Sequence, residues 1–442
     1  MRTFFRYILE EQDIRTLDDF LPPYRKAAAQ LGAENVDPSR STFEAWFYNG
    51  RRPQKTFRRV IVEMLGYSIA DLWTEVPAGT VPDFRPLSST SPTAPHANLG
   101  MDLDHMKRTG AMAVQRAKQF LLGADRDRVG DDTLGLLNDD LVRLVGAYPR
   151  EPLSEIWTDL LETQEQVFRT LESGRVRPSQ LRELHFNAGV LAFLVAKGFN
   201  DMEQRDHAST MARVAASHAR DAEHDGLSAL VEGLKSLIAF WADKPTDALH
   251  YARQGGHIAA NLKGTVGLWL LGLEARAAAV LGDEGTVRSA NQLSTERRDR
   301  VVLDDLDELG GLLTYSREKQ LYYSVEAEAL LGHGGAHLAA QAEDAVRAFS
   351  DPEAPFWAFG DLAGTQCDLA LVRLHSEDVE GAAAALRPVL DLPYSHRNNG
   401  IIVSAQRVRQ ALMSGPARTA IAARQLQEEI EIFPPRRPAL PG

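Results

Sequence analysis

Beyond residue 190 the chain returns repeatedly to one pattern: an apolar stretch of helix length, a turn, and a second stretch crowded with alanine. It reads LAFLVAKGFNDMEQ at 191–204, LIAFWADKPTDALHYA at 237–252, ARAAAVLGDEGTVRSA at 275–290, AEALLGHGGAHLAAQAEDAVRAF at 327–349 and LALVRLHSEDVEGAAAAL at 369–386. The turns fall near Gly198, Asp243, Gly282, Gly332 and Ser376, about 39 to 50 residues apart, a period that marks stacked helical hairpins. One such hairpin cannot bury its apolar face alone, so the pattern predicts an α-solenoid in which neighbours supply the core. Small residues recur because antiparallel helices approach closely only where Ala or Gly stands at the crossing. That places Ala279 with Gly282, and Ala327 with Ala329 and Gly332, at contacts within hairpins. An alanine-rich bundle without a true repeat is the alternative.

Composition agrees with an all-α chain. Of 442 residues, 44% are hydrophobic and 25% charged, which excludes wholesale disorder, and β-branched runs are scarce. The single cysteine, Cys367, rules out an internal disulfide framework; set in DLAGTQCDLALVRL, it reads as a buried, inert thiol. The opening MRTFFRYILEEQDIRT is too soon interrupted by charge to be a signal peptide, and no stretch approaches the roughly 20 apolar residues of a membrane span. A soluble, cytoplasmic protein without membrane partners is expected. Residues 77–100 hold five prolines among Ser, Thr and small residues and read as a linker. They divide a compact domain at 1–76 from a helical repeat region at 101–432, with 433–442 as a disordered tail.

The net charge of -12 is unevenly spread. Residues 1–76 are neutral, with eleven basic and eleven acidic side chains, yet between 40 and 59 Arg40, Arg51, Arg52, Lys55, Arg58 and Arg59 face only Glu44. Phosphate binding depends on this local field, not on the total. Five short helices are predicted here: Arg2 to Glu11, Leu17 to Leu31, Arg40 to Tyr48, about Gln54 to Leu65, and Ile69 to Trp73. Gly32 is placed to end the second, and Asp37 or Ser39 to cap the third around Pro38. Pro22 and Pro23 predict a late start or a kink in the second helix, and the turn from Gly32 to Ser39 is long for a helix-turn-helix.

In the third helix Phe43, Trp46 and Phe47 form the buried face, leaving Arg40, Ser41, Thr42, Glu44, Ala45 and Asn49 for other surroundings. Arg40 suits guanine N7 and O6, Asn49 an adenine edge or a phosphate, and Ser41 or Thr42 a base edge or the backbone. Arg51, Arg52 and Lys55 would clamp phosphate, which fixes register without reading sequence.

These residues carry a resemblance. Ser39 and Arg40, Trp46, Asn49 to Arg52, the closing helix Val60 to Leu65 and the final turn Ile69 to Trp73 resemble the Xre/Cro-type helix-turn-helix that precedes tetratricopeptide-like regions in actinomycete regulators. The resemblance covers about 70 residues and, more loosely, the repeats. It implies a transcription regulator that binds double-stranded DNA, pairs as a homodimer across half-sites, and takes a peptide, protein or small molecule on the concave face of its repeats. Asn187, Lys235, Trp269, Glu274 and Tyr323 fall on first helices of successive units and are the candidate contacts. A protein-interaction scaffold whose first domain does not read DNA is the competing reading.

No catalytic arrangement is legible: GxSxG, GxxxxGK[ST] and GxGxxG are absent, and the glycines of LLGHGGAHL read as a hairpin bend. His218 with His224, and His250 with His257, lack accompanying ligands, so neither a metal nor a cofactor is expected and no enzyme is foreseen.

Overall fold

The computed structural model describes residues 3–12, 14–30, 37–65, 67, 69–76, 129–416, 418 and 420–433. Gly32, the proline-rich 77–100 segment, the start of the repeat region at 101–128 and the tail after Phe433 lie outside the described residues. All regular structure described is helical, apart from one isolated bridge between Thr3 and Glu75, so the chain is all-α. No helix among the described residues is long and apolar enough to cross a membrane. The chain divides into two compact units, Met1–Gly110 and Ala111–Gly442.

The N-terminal unit contains α1 (Phe4–Glu11), α2 (Leu17–Gln30), α3 (Arg40–Phe47), α4 (Lys55–Leu65) and α5 (Ile69–Leu72). The Thr3 hydroxyl caps α1 by accepting from Arg6 N at 3.3 Å. Thr16 and Asp19 cap α2 reciprocally, Thr16 N donating to Asp19 Oδ2 at 3.2 Å and Asp19 N to Thr16 Oγ1 at 3.3 Å. With its start fixed in this way, α2 begins at Leu17 and runs through Pro22 and Pro23, so of the two expected outcomes, a late start or a kink, the late start does not occur. The bonds that the prolines cannot make belong to the carbonyls of Asp18 and Asp19, both on solvent-exposed residues. Ser39, not Asp37, caps α3, accepting from Thr42 N at 3.2 Å.

The core of this unit is aromatic. Phe20 lies 6.3 Å from Phe5 and 5.0 Å from Phe43, and Phe5 stacks on Trp73 at 4.6 Å. The Phe4 N–H donates to Thr74 O at 2.9 Å, so the first and last segments of the unit are tied together.

The second unit is a succession of antiparallel hairpins: α6 (Asp131–Ala147) with α7 (Leu153–Glu172), α8 (Pro178–Asp201) with α9 (Arg205–Asp221), α10 (Asp225–Trp241) with α11 (Pro245–Ile258), and α12 (Val266–Val280) with α13 (Glu284–Arg298). After the short α14 (Asp305–Leu309) come α15 (Arg317–Leu330) with α16 (Ala336–Ala348), α17 (Phe359–His375) with α18 (Val379–Leu390), and α19 (Asn399–Ser414) with α20 (Ile421–Ile432). Division of labour between the two helices explains the sequence pattern. First helices are enclosed, α8 being buried without a break from Asn187 to Ala196. Second helices bury one narrow stripe of small residues, Ala208, Ala212, Ala215 and Ala219 in α9, Ala248 and Ala252 in α11, and Ala382 and Ala385 in α18, which lets the helices approach closely. Ala279 shares one buried cluster with Val287 and Ala290 of its hairpin partner α13 and with Ala327 of α15, so the contact within the hairpin and that to the next hairpin meet there.

Six helix ends repeat one device. A residue in the left-handed region, Glu203, Glu223, Asp243, Gly282, Gly332 or Glu377, lets the next N–H bond back over one turn. The bonds are Gln204 to Phe199 at 2.8 Å, His224 to Ala219 at 3.0 Å, Lys244 to Ala239 at 2.9 Å, Asp283 to Ala278 at 2.9 Å, His333 to Glu328 at 3.1 Å and Asp378 to Arg373 at 2.9 Å. The first expected turn therefore moves from Gly198 to Glu203. Gly198 lies inside α8, where a Cβ would stand 2.5 Å from Trp157 Cζ3 of α7; it accommodates a neighbour's indole.

The array curls until its ends meet. Phe359 N donates to Pro149 O at 3.1 Å, and Arg150 donates to Pro352 O and Ala354 O, both at 2.8 Å. At the other end Phe433, assigned from sequence to the tail, is buried, and Arg397 holds it by a 2.7 Å bond to its carbonyl and by lying 4.4 Å over its ring.

Because left-handed backbone costs an L-residue roughly 1–2 kcal/mol that glycine avoids, Gly282→Ala should lower stability by about 1 kcal/mol, whereas Glu377→Gly should leave it unchanged or raise it. Urea unfolding midpoints of the two variants check both signs.

Candidate nucleic-acid interface and ligand cavity

In the N-terminal unit the caps and core of α3 decide what its outer face presents. With Phe43, Trp46 and Phe47 buried, Arg40, Ser41, Glu44 and Asn49 are exposed and Thr42 and Ala45 half-buried. The hydroxyls of Ser41 and Thr42 lie 3.0 and 2.8 Å from Ser39 Oγ, so both belong to the N-cap network. Arg40 Nη2 stands 3.9 Å from Asp18 Oδ2, a solvent-exposed and weak pairing. Past α3, Gly50 turns left-handed (φ +64°) and Arg51 N reaches back to Ala45 O at 3.0 Å. The Arg51 carbonyl is then gripped by Trp73 Nε1 at 3.0 Å. The peptide is anchored while the Arg51 and Arg52 side chains remain exposed, with Arg59 also exposed on α4 and Arg58 Nε bound to Pro53 O at 2.8 Å. The side chain of Lys55 lies outside the described residues.

The second unit holds a pocket, partly open to solvent, walled by Tyr148, Trp241, Trp269, Tyr315, Tyr322 and Tyr323. Glycines on the enclosing helices make room for these rings: a Cβ on Gly233 would lie 2.3 Å from Trp269 Cζ3, and one on Gly364 2.1 Å from Tyr322 Oη. Three ion pairs stand against the aromatic wall. Lys197 bonds Asp201 at 2.5 and 2.6 Å, and Asp201 also accepts from Tyr148 Oη at 2.9 Å. Lys319 lies 3.0 Å from Asp361; burial is the largest influence and opposes its charge, but Asp361 and Tyr323 together outweigh it and hold the ammonium above its ordinary value. Arg276 meets Glu326 at 2.6 and 2.9 Å, with each side chain only 2% exposed.

The Arg276–Glu326 pair is the centre of a larger cluster. The Arg276 guanidinium lies 4.3 Å from the Tyr323 ring and 4.5 Å from Phe240, while Arg407 of α19 lies 4.4 Å from the same Phe240 and 3.6 Å from Glu326. Burial acts against the Arg276 charge, but Glu326 and Tyr323 outweigh it and raise its value; for Arg407 burial wins and lowers it. Asp368 of α17, 4% exposed, is pushed well above the carboxylate range by burial and then by Glu326. The phenols of Tyr148, Tyr315 and Tyr322 are also raised, chiefly by burial, and Tyr315 Oη is enclosed without a hydrogen-bond partner. The wall thus offers neutral donors and flat aromatic surface beside fixed charges.

Of the five candidate contacts read from the repeats, Trp269 and Tyr323 line this cavity, with Trp269 Nε1 3.4 Å from Tyr323 Oη. Lys235 is paired with Glu232 at 2.5 Å. Glu274 bonds Arg253 at 2.8 Å beside a separate depression that also includes His257 and Arg297. Asn187 is 1% exposed inside the hairpin core, with neither amide atom hydrogen-bonded. Sequence reasoning passed over Arg276, Lys319, Glu326, Asp361 and Arg407. The available signal was a lone charge in an apolar helix, as in ARAAAV, since such a charge is buried only with a partner.

No family model, curated protein or solved structure matches the chain.

Removing one member of a buried pair leaves the other uncompensated, which costs about 3–5 kcal/mol; Glu326→Ala should show a loss of that size in urea unfolding. For Asp368 the raised folded value fixes the sign: its contribution is full below the unfolded carboxylate pKa of about 3.9 and is lost as pH rises towards the folded value. Asp368→Asn should therefore be more stable than the parent at pH 7, with an advantage that shrinks towards pH 4, at a slope no steeper than about 1.4 kcal/mol per pH unit. Unfolding midpoints across that range test it.

Proposed function

We propose that this chain is a ligand-responsive DNA-binding regulator, in which α3 docks in the major groove and the tetratricopeptide-like hairpins form the receptor. The observation that carries the receptor half is the aromatic cavity with ion pairs in its wall. Its mixture of aromatic rings and paired charges, with walls drawn from early and late hairpins, suits a small amphiphilic molecule or a short peptide end better than an extended peptide. The DNA-binding half is supported by exposed Arg51, Arg52 and Arg59 beside the outward face of α3. In this reading Arg40 and Asn49 touch base edges, Ser41 and Thr42 contribute through the capped start of the helix, and the arginines hold phosphate. A cytoplasmic homodimer spanning two half-sites supplies the remaining specificity. The reading assigns the chain no catalytic step.

The test is capture of genomic DNA by the full chain, followed by salt titration of the best fragment. The regulator reading expects a recurring inverted repeat and affinity that falls steeply with salt. Arg51→Ala and Arg52→Ala should each weaken binding across sequences and reduce the log–log salt slope by about 1, whereas Arg40→Ala should relax sequence preference. Salt-insensitive, sequence-indifferent binding would instead favour the interaction scaffold.

A further inference from the structure

Outside the cavity, α8 and α9 bring together three side chains that sequence spacing did not associate. His185 of α8 and His218 of α9 face each other with their Nδ1 atoms 2.9 Å apart. Asp221, one turn on from His218 and on the same face of α9, places Oδ2 3.9 Å from His185 Nδ1. The candidate ligand atoms of all three lie within 4.8 Å of one another. Two imidazole nitrogens directed at each other are compatible only if one carries a proton and the other does not, or if a cation stands between them.

We propose that His185, His218 and Asp221 form a binding site for a first-row transition-metal ion of the Zn²⁺ type, cross-linking the two helices of this hairpin. With Zn–N bonds of about 2.0–2.1 Å, tetrahedral ligand atoms lie about 3.3 Å apart. The two separations from His185, 2.9 and 3.9 Å, straddle that value, and the third, between His218 and Asp221, is at most 4.8 Å, so seating one ion asks the Asp221 carboxylate to swing inward by side-chain rotation. Asp221 is free to make that adjustment, its side chain being 53% exposed, and its exposure leaves a fourth position open to water. The His218 ring is held in place by Phe168, stacked at 5.6 Å and 29°. His224, the neighbour considered from sequence, is committed elsewhere: its Nδ1 accepts from Leu227 N at 2.9 Å as the cap of α10, and its Nε2 lies 2.9 Å from Asp305.

The test is calorimetric titration of the tag-free full chain with ZnCl₂, paired with visible absorption of the Co²⁺ complex. The proposal expects a saturable site of one ion per chain. Since loss of even an outer-shell partner costs about 10- to 100-fold, His185→Ala and His218→Ala should each weaken the site by at least about 100-fold and remove the Co²⁺ band. Asp221→Asn should weaken it less, and His250→Ala, on α11, should leave it intact. His185→Gln and His218→Gln, which keep a polar side chain in place, guard against loss by misfolding and should fail in the same way while their far-ultraviolet circular dichroism matches the parent. Absence of Zn²⁺ binding at about 1 mM, or binding unchanged in the folded His185 and His218 variants, would overturn the site.

Discussion

The pairing of Arg276 with Glu326 is the interaction on which the second unit turns. A guanidinium and a carboxylate have been taken out of water together, and neither is tolerable there without the other. Their partners come from distant parts of the chain: Phe240 and Trp241 from α10, Tyr323 from α15, Arg407 from α19 and Asp368 from α17. Apolar burial gives these hairpins a reason to stack but is non-directional. A buried ion pair fixed by one hydrogen bond, Arg276 Nη2 to Glu326 Oε1, with aromatic faces around it is directional, and it constrains how far the array curls before α19 reaches back to α10.

The cavity follows from that geometry. Helices carrying Trp269, Tyr322 and Tyr323 must approach closely, which is possible only because Gly233, Gly272 and Gly364 present bare backbone to the rings. The same closeness enforces burial, and burial keeps the phenols of Tyr315 and Tyr322 protonated. Packing and binding chemistry are one arrangement here: the residues that close the array also furnish the donors and flat surfaces that a compact ligand would meet.

The N-terminal unit achieves its order by another route. Its hydrophobic centre is a chain of aromatic contacts from Trp73 through Phe5 and Phe20 to Phe43, and its polar groups are spent at helix ends, at Thr3, Thr16 and Ser39. Arg51 shows the consequence. Its backbone is held from both sides, by Ala45 and by Trp73, so a charged side chain on a short connection is presented from a fixed base.

Much of this was legible in the sequence because it depends on local rules. Periodicity placed α1 to α5 within one or two residues, Phe43, Trp46 and Phe47 were identified as the buried face of α3, and alanine recurrence announced paired helices. Turn positions were less legible, since Glu203 and Glu377 occupy left-handed positions where a reader looks for glycine, and the prolines of α2 misled because a capping box outweighed them. Trp269 and Tyr323 could be picked out as residues of first helices, but Asn187, from the same pattern, is enclosed. The sequence by itself determined the all-α class and the hairpin habit, through contacts made within about one turn of helix or one hairpin. Only the tertiary structure decided that Arg276 meets Glu326, and His185 meets His218, across 50 and 33 residues. Such meetings depend on how successive hairpins rotate against one another, a sum of small packing angles that no local spacing encodes.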